Sequence, residues 1–190
     1  MKATENIQKH TYIALLRAIN VGGYAVIKMA DLKKLFESCG LTDVTTYIQS
    51  GNVIFTLKKT RSEKLEAQIE KKLKSSTGKD IKVFLLTPGE LIKAVSHNPF
   101  NPEHRDKEQR CHLMFLSGKP DEVHSKALMK LEGREYQFHI HEDILYYAYP
   151  NEFAGNRRNI DFEKVLGVYG TSRSWKVVDK LIELSEQLKK

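Results

Sequence analysis

The chain has 190 residues, of which 41% are hydrophobic and 29% charged, with a formal net charge of +7. That length and composition suit one large domain or two small lobes with real apolar cores, and exclude a disordered, collagen-like or membrane-embedded chain. The first element in chain order is a strand over Tyr12–Arg17, leading into the glycine-bearing connection LLRAINVGG at 15–23. A helix follows near Met29–Cys39, with Leu32, Leu35, Phe36 and Cys39 on one face and Gly40 as its stop. Two β-rich runs, Val44–Gln49 and Val53–Leu57, flank Ser50, Gly51 and Asn52, a combination suited to a tight hairpin. Thr60 and Glu63 have capping-box spacing before a helix whose Leu65, Ile69 and Leu73 form an apolar stripe. After the breakers at 75–78, Ile81–Leu86 reads as a closing strand. The order β-α-β-β-α-β predicts an α+β fold with a ferredoxin-like unit, assigned to residues 12–97.

Thr87, Pro88 and Glu90 mark another helix entrance, and the prolines at 99 and 102 end that helix, placing a connector at 98–110. A strand at Cys111–Leu116, a helix around Pro120–Leu131 and strands at Glu135–Ile140 and Ile144–Tyr149 come next. Val123, Ala127, Leu128 and Leu131 are expected on the inner face of that helix, and His141, Glu142 and Asp143 in the later turn. Helices at Ile160–Leu166 and Trp175–Leu188 complete a second small α/β lobe over 111–190, which repeats the β-α-β-β-α order without a short sequence repeat.

Polar, glycine-bearing loops held by strands and helices are the natural places for a binding surface. In the first connection, Asn20, Gly22 and Gly23 expose backbone, and Arg17 or Lys28 can neutralise an anion, although neither a dinucleotide fingerprint nor a P-loop is present. Gln49, Ser50 and Asn52 in TYIQSGNVIF at 46–55 offer a second polar surface or else satisfy their own turn. Near the end, Arg157, Arg158, Arg173, Ser174 and Lys176 are candidates for phosphate contact. Trp175 is either a stacking partner for a base or a packing anchor against Val178, Leu181 and Ile182. Within residues 58–82 basic residues outnumber acidic ones nine to four, which fits a solvated helix face or a partner footprint.

The pairs His139 and His141, and His97 and His104, lack a recognised metal-ligand pattern, so no metal and no cofactor is predicted. Glu152 and Asp161 are the carboxylates best placed to transfer protons beside a basic region. Cys39 and Cys111 are far apart in the sequence, which argues against a disulfide scaffold. The opening residues lack a signal-peptide core, and no stretch approaches the roughly 18 apolar residues of a spanning helix, so a cytoplasmic protein without a membrane partner is expected.

The motifs ALLRAINVGG, TYIQSGNVIF and TSRSWKVVDKL, with the segment 29–40 between the first two, resemble the bacterial family known as domain of unknown function 1697 over residues 12–182. The resemblance implies a compact α+β protein with a ferredoxin-like part and a second α/β part, and brings no reaction or ligand. Ala18 stands where the family pattern often has another glycine, and Ser174 where an asparagine is familiar. The basic charge and candidate loops point first to noncatalytic binding of single-stranded RNA or DNA. Two alternatives stand beside it. One is an enzyme or sensor for a small anionic or phosphorylated ligand, held by Arg17, Asn20, Arg173 and Ser174 in a pocket between the lobes. The other is a protein-interaction module. Whether the protein is an enzyme, and its oligomeric state, are left open.

Overall fold

The computed structural model describes residues 9–58, 62–100, 109–155 and 159–188. Thr60, His104, Arg157, Arg158 and most of the expected connector lie outside the described residues. In the first half of the chain, strand β1 (Lys9–Leu16) leads to helix α1 (Met29–Ser38), β2 (Thr42–Tyr47), β3 (Asn52–Lys58), α2 (Ser62–Thr77) and β4 (Val83–Leu86). Helix α3 (Pro88–Ser96) follows. The second half runs β5 (Gln109–Leu116), α4 (Glu122–Met129), β6 (Gln137–His141), β7 (Ile144–Pro150), α5 (Phe162–Leu166), β8 (Gly170–Ser174) and α6 (Trp175–Gln187).

The strands form two four-stranded sheets, ordered β2-β3-β1-β4 and β6-β7-β5-β8, with every pairing antiparallel. The chain is therefore α+β, and each half follows the order β-α-β-β-α-β. Two compact units result: one runs to Leu91 and takes in the chain from Lys180 on, and the other is Ile92–Asp179. The division falls inside α3 and α6, away from the 98–110 segment expected to separate the lobes.

In the first unit, Tyr12, Ala14 and Leu16 of β1 join Val53 and Phe55 of β3 and Val83 and Leu85 of β4 in one core with α1 and α2. The helices contribute Leu32, Leu35 and Phe36 from α1 and Leu65, Ile69 and Leu73 from α2, the apolar stripes read from the sequence. The alternate residues Ile13, Leu15 and Ile54 are fully buried as well. Burial on both faces explains the unbroken apolar run from Tyr12 to Leu16, since a half-exposed strand alternates instead.

The second unit repeats the plan with Met114, Leu116, Leu145, Tyr147 and Tyr149 on its sheet and Leu128 and Leu166 from α4 and α5. Leu128 is buried, but Val123 is 75% exposed, contrary to its expected inner position. Helix α4 spans only eight residues, and its first turn is held by Asp121 capping the His124 N–H at 2.8 Å rather than by apolar burial. On the opposite face Tyr146 is fully buried and donates its hydroxyl to the Ala94 carbonyl at 2.7 Å.

The α3 entrance matches its sequence signature. The Glu90 carboxylate accepts from the Thr87 N–H at 2.7 Å and the Thr87 hydroxyl at 2.8 Å, while the Glu90 N–H donates back to Thr87 Oγ1 at 3.2 Å. Strand β8 lies between the two expected helices at Ile160–Leu166 and Trp175–Leu188, where sequence patterning predicts no strand. Its inward positions carry Thr171 and Arg173, so it shows no apolar alternation.

Gly51 has φ +75°, and an added Cβ would stand 2.8 Å from Leu16 Cβ and 2.9 Å from Ile19 Cγ1. Gly51→Ala is therefore expected to destabilise the first unit by about 1–3 kcal/mol, read as a lower urea midpoint. A second expectation concerns alkaline pH. Burial, and secondarily the nearby Asp143 charge, push the Tyr146 phenol from 10 up to about 12. Because the folded value lies above the unfolded one, the phenol's contribution is intact below pH 10 and is lost as pH rises through 12. Tyr146→Phe is expected to cost about 1 kcal/mol at neutral pH. The difference from wild type is expected to shrink between pH 10 and 12, which denaturant titrations across that range check.

Candidate functional site

The antiparallel pairing brings the end of β1, the start of β3 and the start of β4 to one edge of the first sheet: Leu15 faces Asn52 and Leu16 faces Val83. The loops leaving these strands are tied together there. Leu16 N–H donates to the Gly51 carbonyl at 2.8 Å, and Arg17 N–H to the Lys82 carbonyl at 2.9 Å. The Asn20 amide is a strap: Nδ2 donates to the Ile27 carbonyl at 3.0 Å and the Gln49 carbonyl at 2.9 Å, while Oδ1 accepts from Ile27 N–H at 2.9 Å. Asn52 is fully buried and donates to the Tyr47 carbonyl at 3.0 Å and Ser50 Oγ at 2.9 Å. Asn20, Ser50 and Asn52 thus shape the backbone of their own loops.

That backbone is unusual. Ala18, Asn20 and Ile48 have φ of 55°, 56° and 46°, and Gly22 and Gly23 have 59° and 73°. Ala18 occupies a conformation that favours glycine, which accounts for the glycine familiar at that place. Ile48 is β-branched, so its left-handed conformation is costly and is held by the surrounding bonds. Nothing lies within 4 Å of a Cβ built on Gly22 or Gly23, so those glycines serve the turn, with open space beside them.

In the second unit, a cavity of about 150 Å³ is lined by Arg110, Cys111, His112, Ser174 and Lys176. Strand pairing makes it: His112 of β5 lies directly opposite Ser174, the last residue of β8. Lys176 follows in the first turn of α6. The His112 ring stacks on Tyr147 at 4.9 Å and 6°, and on Tyr149 at 5.4 Å and 16°. The Tyr147 hydroxyl bonds with Ser172 Oγ at 2.8 Å, and Arg110 Nε donates to Asn151 Oδ1 at 3.3 Å. The cavity thus combines a guanidinium, an imidazole, a hydroxyl and an ammonium, a donor set suited to a small anion.

Ser174 and Lys176 were legible as candidates, whereas Arg110 and His112 were not. The signal lay in their alternation with Met114 on a strand whose residues from Cys111 on are otherwise apolar. Arg173 and Trp175 are both only 6% exposed. The Arg173 guanidinium donates to Thr171 Oγ1 and the Ser172 carbonyl, each at 2.8 Å. Burial draws it down to about 10, still far above neutrality, so it stays charged. Trp175 takes the packing role rather than offering a stacking face.

Asp161 caps α5, accepting from Lys164 N–H at 3.1 Å. His97 and His141 stack at 4.2 Å, and His139 sits 6.0 Å from Tyr146. Among the described residues no cluster of three or more His, Cys, Asp or Glu side chains could hold a metal ion, and no helix is long and apolar enough to cross a membrane.

Residues 10–146 match the family described as Protein of unknown function (DUF1697). The chain belongs to this family. The DUF1697 match takes in the strapped loops, Arg110 and His112, and ends before Ser174 and Lys176. No curated protein matches the chain. Among solved structures, the conserved bacterial protein SP0830 from Streptococcus pneumoniae is similar at 20% identity with a TM-score of 0.73, covering 94% of this chain and 99% of that one. At that identity the likeness concerns the fold.

Removing the Asn20 strap has a direct consequence. Asn20→Ala leaves the nearly buried Ile27 N–H and two carbonyls without their amide partner, at an expected cost of about 1–3 kcal/mol. Amide hydrogen exchange is expected to accelerate at Ile27 and its loop while the β5 amides keep their protection.

Proposed function

We propose that the protein binds a small phosphorylated or otherwise anionic ligand at the Arg110–His112–Ser174–Lys176 cavity. The observation that carries this reading is a comparison of two helix entrances. At α3, which directly follows β4, the N-terminus is closed by the chain's own carboxylate, Glu90, bonded to Thr87. At α6, which directly follows β8, Ser174 stands in the place of Thr87, and Val177 stands where Glu90 would be. An anion in the cavity takes up the acceptor role that Val177 cannot supply, at the positive end of a 13-residue helix and between Arg110 and Lys176. The volume is below the roughly 300 Å³ at which pockets for whole drug-sized molecules begin, so a phosphate or carboxylate head group is the part held here.

The strand order of each sheet and the helices against one face of it support a ferredoxin-like assignment for both units. The alternative of single-stranded nucleic-acid binding draws on the net charge and on Arg17, Arg157, Arg158, Arg173, Lys176 and Trp175; of these, Arg173 and Trp175 are buried and offer less to a phosphate or a base. The anion reading keeps Ser174 and Lys176 and adds Arg110 and His112.

Titration of the full chain with inorganic phosphate and a panel of phosphomonoesters, followed by amide NMR, tests the proposal. Shifts are expected at His112, Ser174 and Lys176. Arg110→Ala and Lys176→Ala are each expected to weaken binding about tenfold, equivalent to about 1.4 kcal/mol. Val177→Glu, which provides an internal carboxylate, is expected to compete with the ligand while leaving the fold intact. Absence of these shifts at low salt, or equal affinity in all variants, rejects the site. Oligouridylate binding that survives Lys176→Ala would return the nucleic-acid reading to first place.

A further inference from the structure

The strapped loops of the first unit present an apolar surface to solvent. Val21 is 65% exposed, Tyr24 47%, Val26 78% and Ile48 46%. The loops that carry these four side chains are joined, because the Asn20 amide ties the 18–27 loop to the Gln49 carbonyl at 2.9 Å. The Tyr24 hydroxyl also reaches the Asp80 carbonyl at 3.5 Å, and Lys79 Nζ lies 5.2 Å from the centre of the Tyr24 ring. Isolated exposed apolar residues need no explanation, but a group of them on three bonded loops does.

The loops spend conformational energy to keep this arrangement. Ile48 is held at φ 46°, a conformation that β-branched residues avoid, and its side chain is exposed there rather than buried. Strain held at an exposed side chain is a feature of recognition loops.

The charge around the patch identifies the occupant. Across the three loops the cations are Arg17, Lys28, Lys79 and Lys82, of which Lys82 is paired with Glu70 at 3.0 Å, and Asp80 is the carboxylate, itself bridged by Lys74 at 2.8 Å. A second copy of the chain placed patch to patch would set these cations against each other. Three of the four exposed side chains are aliphatic, which suits side-chain packing better than base stacking. We infer that the Val21–Tyr24–Val26–Ile48 surface docks an acidic protein segment that carries apolar anchor residues.

The experiment is a phage-displayed peptide selection against the full chain, with counter-selection on the Val26→Glu/Ile48→Glu double variant. Enriched peptides are expected to combine Asp or Glu with Leu, Ile or aromatic residues. A synthetic peptide of that sequence is expected to shift amides at 21–26 and 48–49 and to lose at least tenfold in affinity for the double variant. Unchanged amide shifts in β1, β3 and β4 serve as the check that the variant is folded. A milder Tyr24→Ala/Val26→Ala pair repeats the measurement without introduced charge and is expected to weaken binding in the same direction. Enrichment of basic peptides, no enrichment over the variant, oligouridylate shifting these same loops in place of the peptide, or a dimer broken by Ile48→Glu would each overturn the inference.

Discussion

Both units depend on one constraint: a central strand with an antiparallel neighbour on each side. β1 lies between β3 and β4, and β5 between β7 and β8. With both neighbours fixed in register, the end of the central strand determines which loops meet. In the first unit, Leu16 at the end of β1 donates to Gly51 and pairs with Val83, so three otherwise distant loops gather at that edge. In the second unit, the opposite end of the corresponding strand matters, where Arg110 and His112 near the start of β5 meet Ser174 at the end of β8. A one-residue slip would turn every side chain to the other face and disperse both groups.

One outer strand of each sheet, β4 and β8, is closed by carboxylates from the helix that precedes it. Glu70 and Glu66 of α2 accept from the Val83 and Leu85 N–H groups of β4 at 3.0 and 2.9 Å. Glu163 of α5 accepts from the Gly170 N–H of β8 at 3.1 Å. A short edge strand whose amides already have charged partners is a poor template for another chain. The arrangement has a cost, since burial pushes the Glu66 carboxyl up despite its bond from Leu85. It also separates roles within α2, whose inward glutamates serve the sheet while Lys71, Lys72 and Lys74 face solvent.

The first half of the fold was largely legible because its elements announce themselves by apolar periodicity. Leu32, Leu35 and Phe36, then Leu65, Ile69 and Leu73, read as helix stripes and are the residues in the core. The capping signature of Thr87 and Glu90 was likewise sufficient to place α3. β8 was not legible, because its buried side chains are Thr171 and Arg173 and its Gly170 is demanded by the Phe115 carbonyl, 2.7 Å from where a Cβ would stand. Such requirements come from the neighbouring strand, which no local pattern records. The same holds for the candidate residues: Asn20 and Asn52 were visible as polar loop residues, but only tertiary contacts reveal that their amides secure backbone. Arg110 and His112 became site candidates only once β8 was placed beside β5.

Comparison of the two units gives the cavity its meaning. Tyr12 on β1 pairs with Phe55, four positions before the strand ends at Leu16, and the two rings stack at 5.8 Å. His112 on β5 pairs with Tyr147, four positions before that strand ends at Leu116, and stacks at 4.9 Å. The first pair is an apolar core contact, buried with α1 and α2. In the second pair a titratable, hydrogen-bonding ring occupies the tyrosine's position and lines a cavity. An imidazole adds less to a core than a larger aromatic ring does, and packing alone would favour the tyrosine. The ring stacks on both Tyr147 and Tyr149 and shares the cavity wall with Ser174, Arg110 and Lys176. The same architecture has thus been used twice, once with the end of the sheet closed by packing and once with it left open and lined by donors.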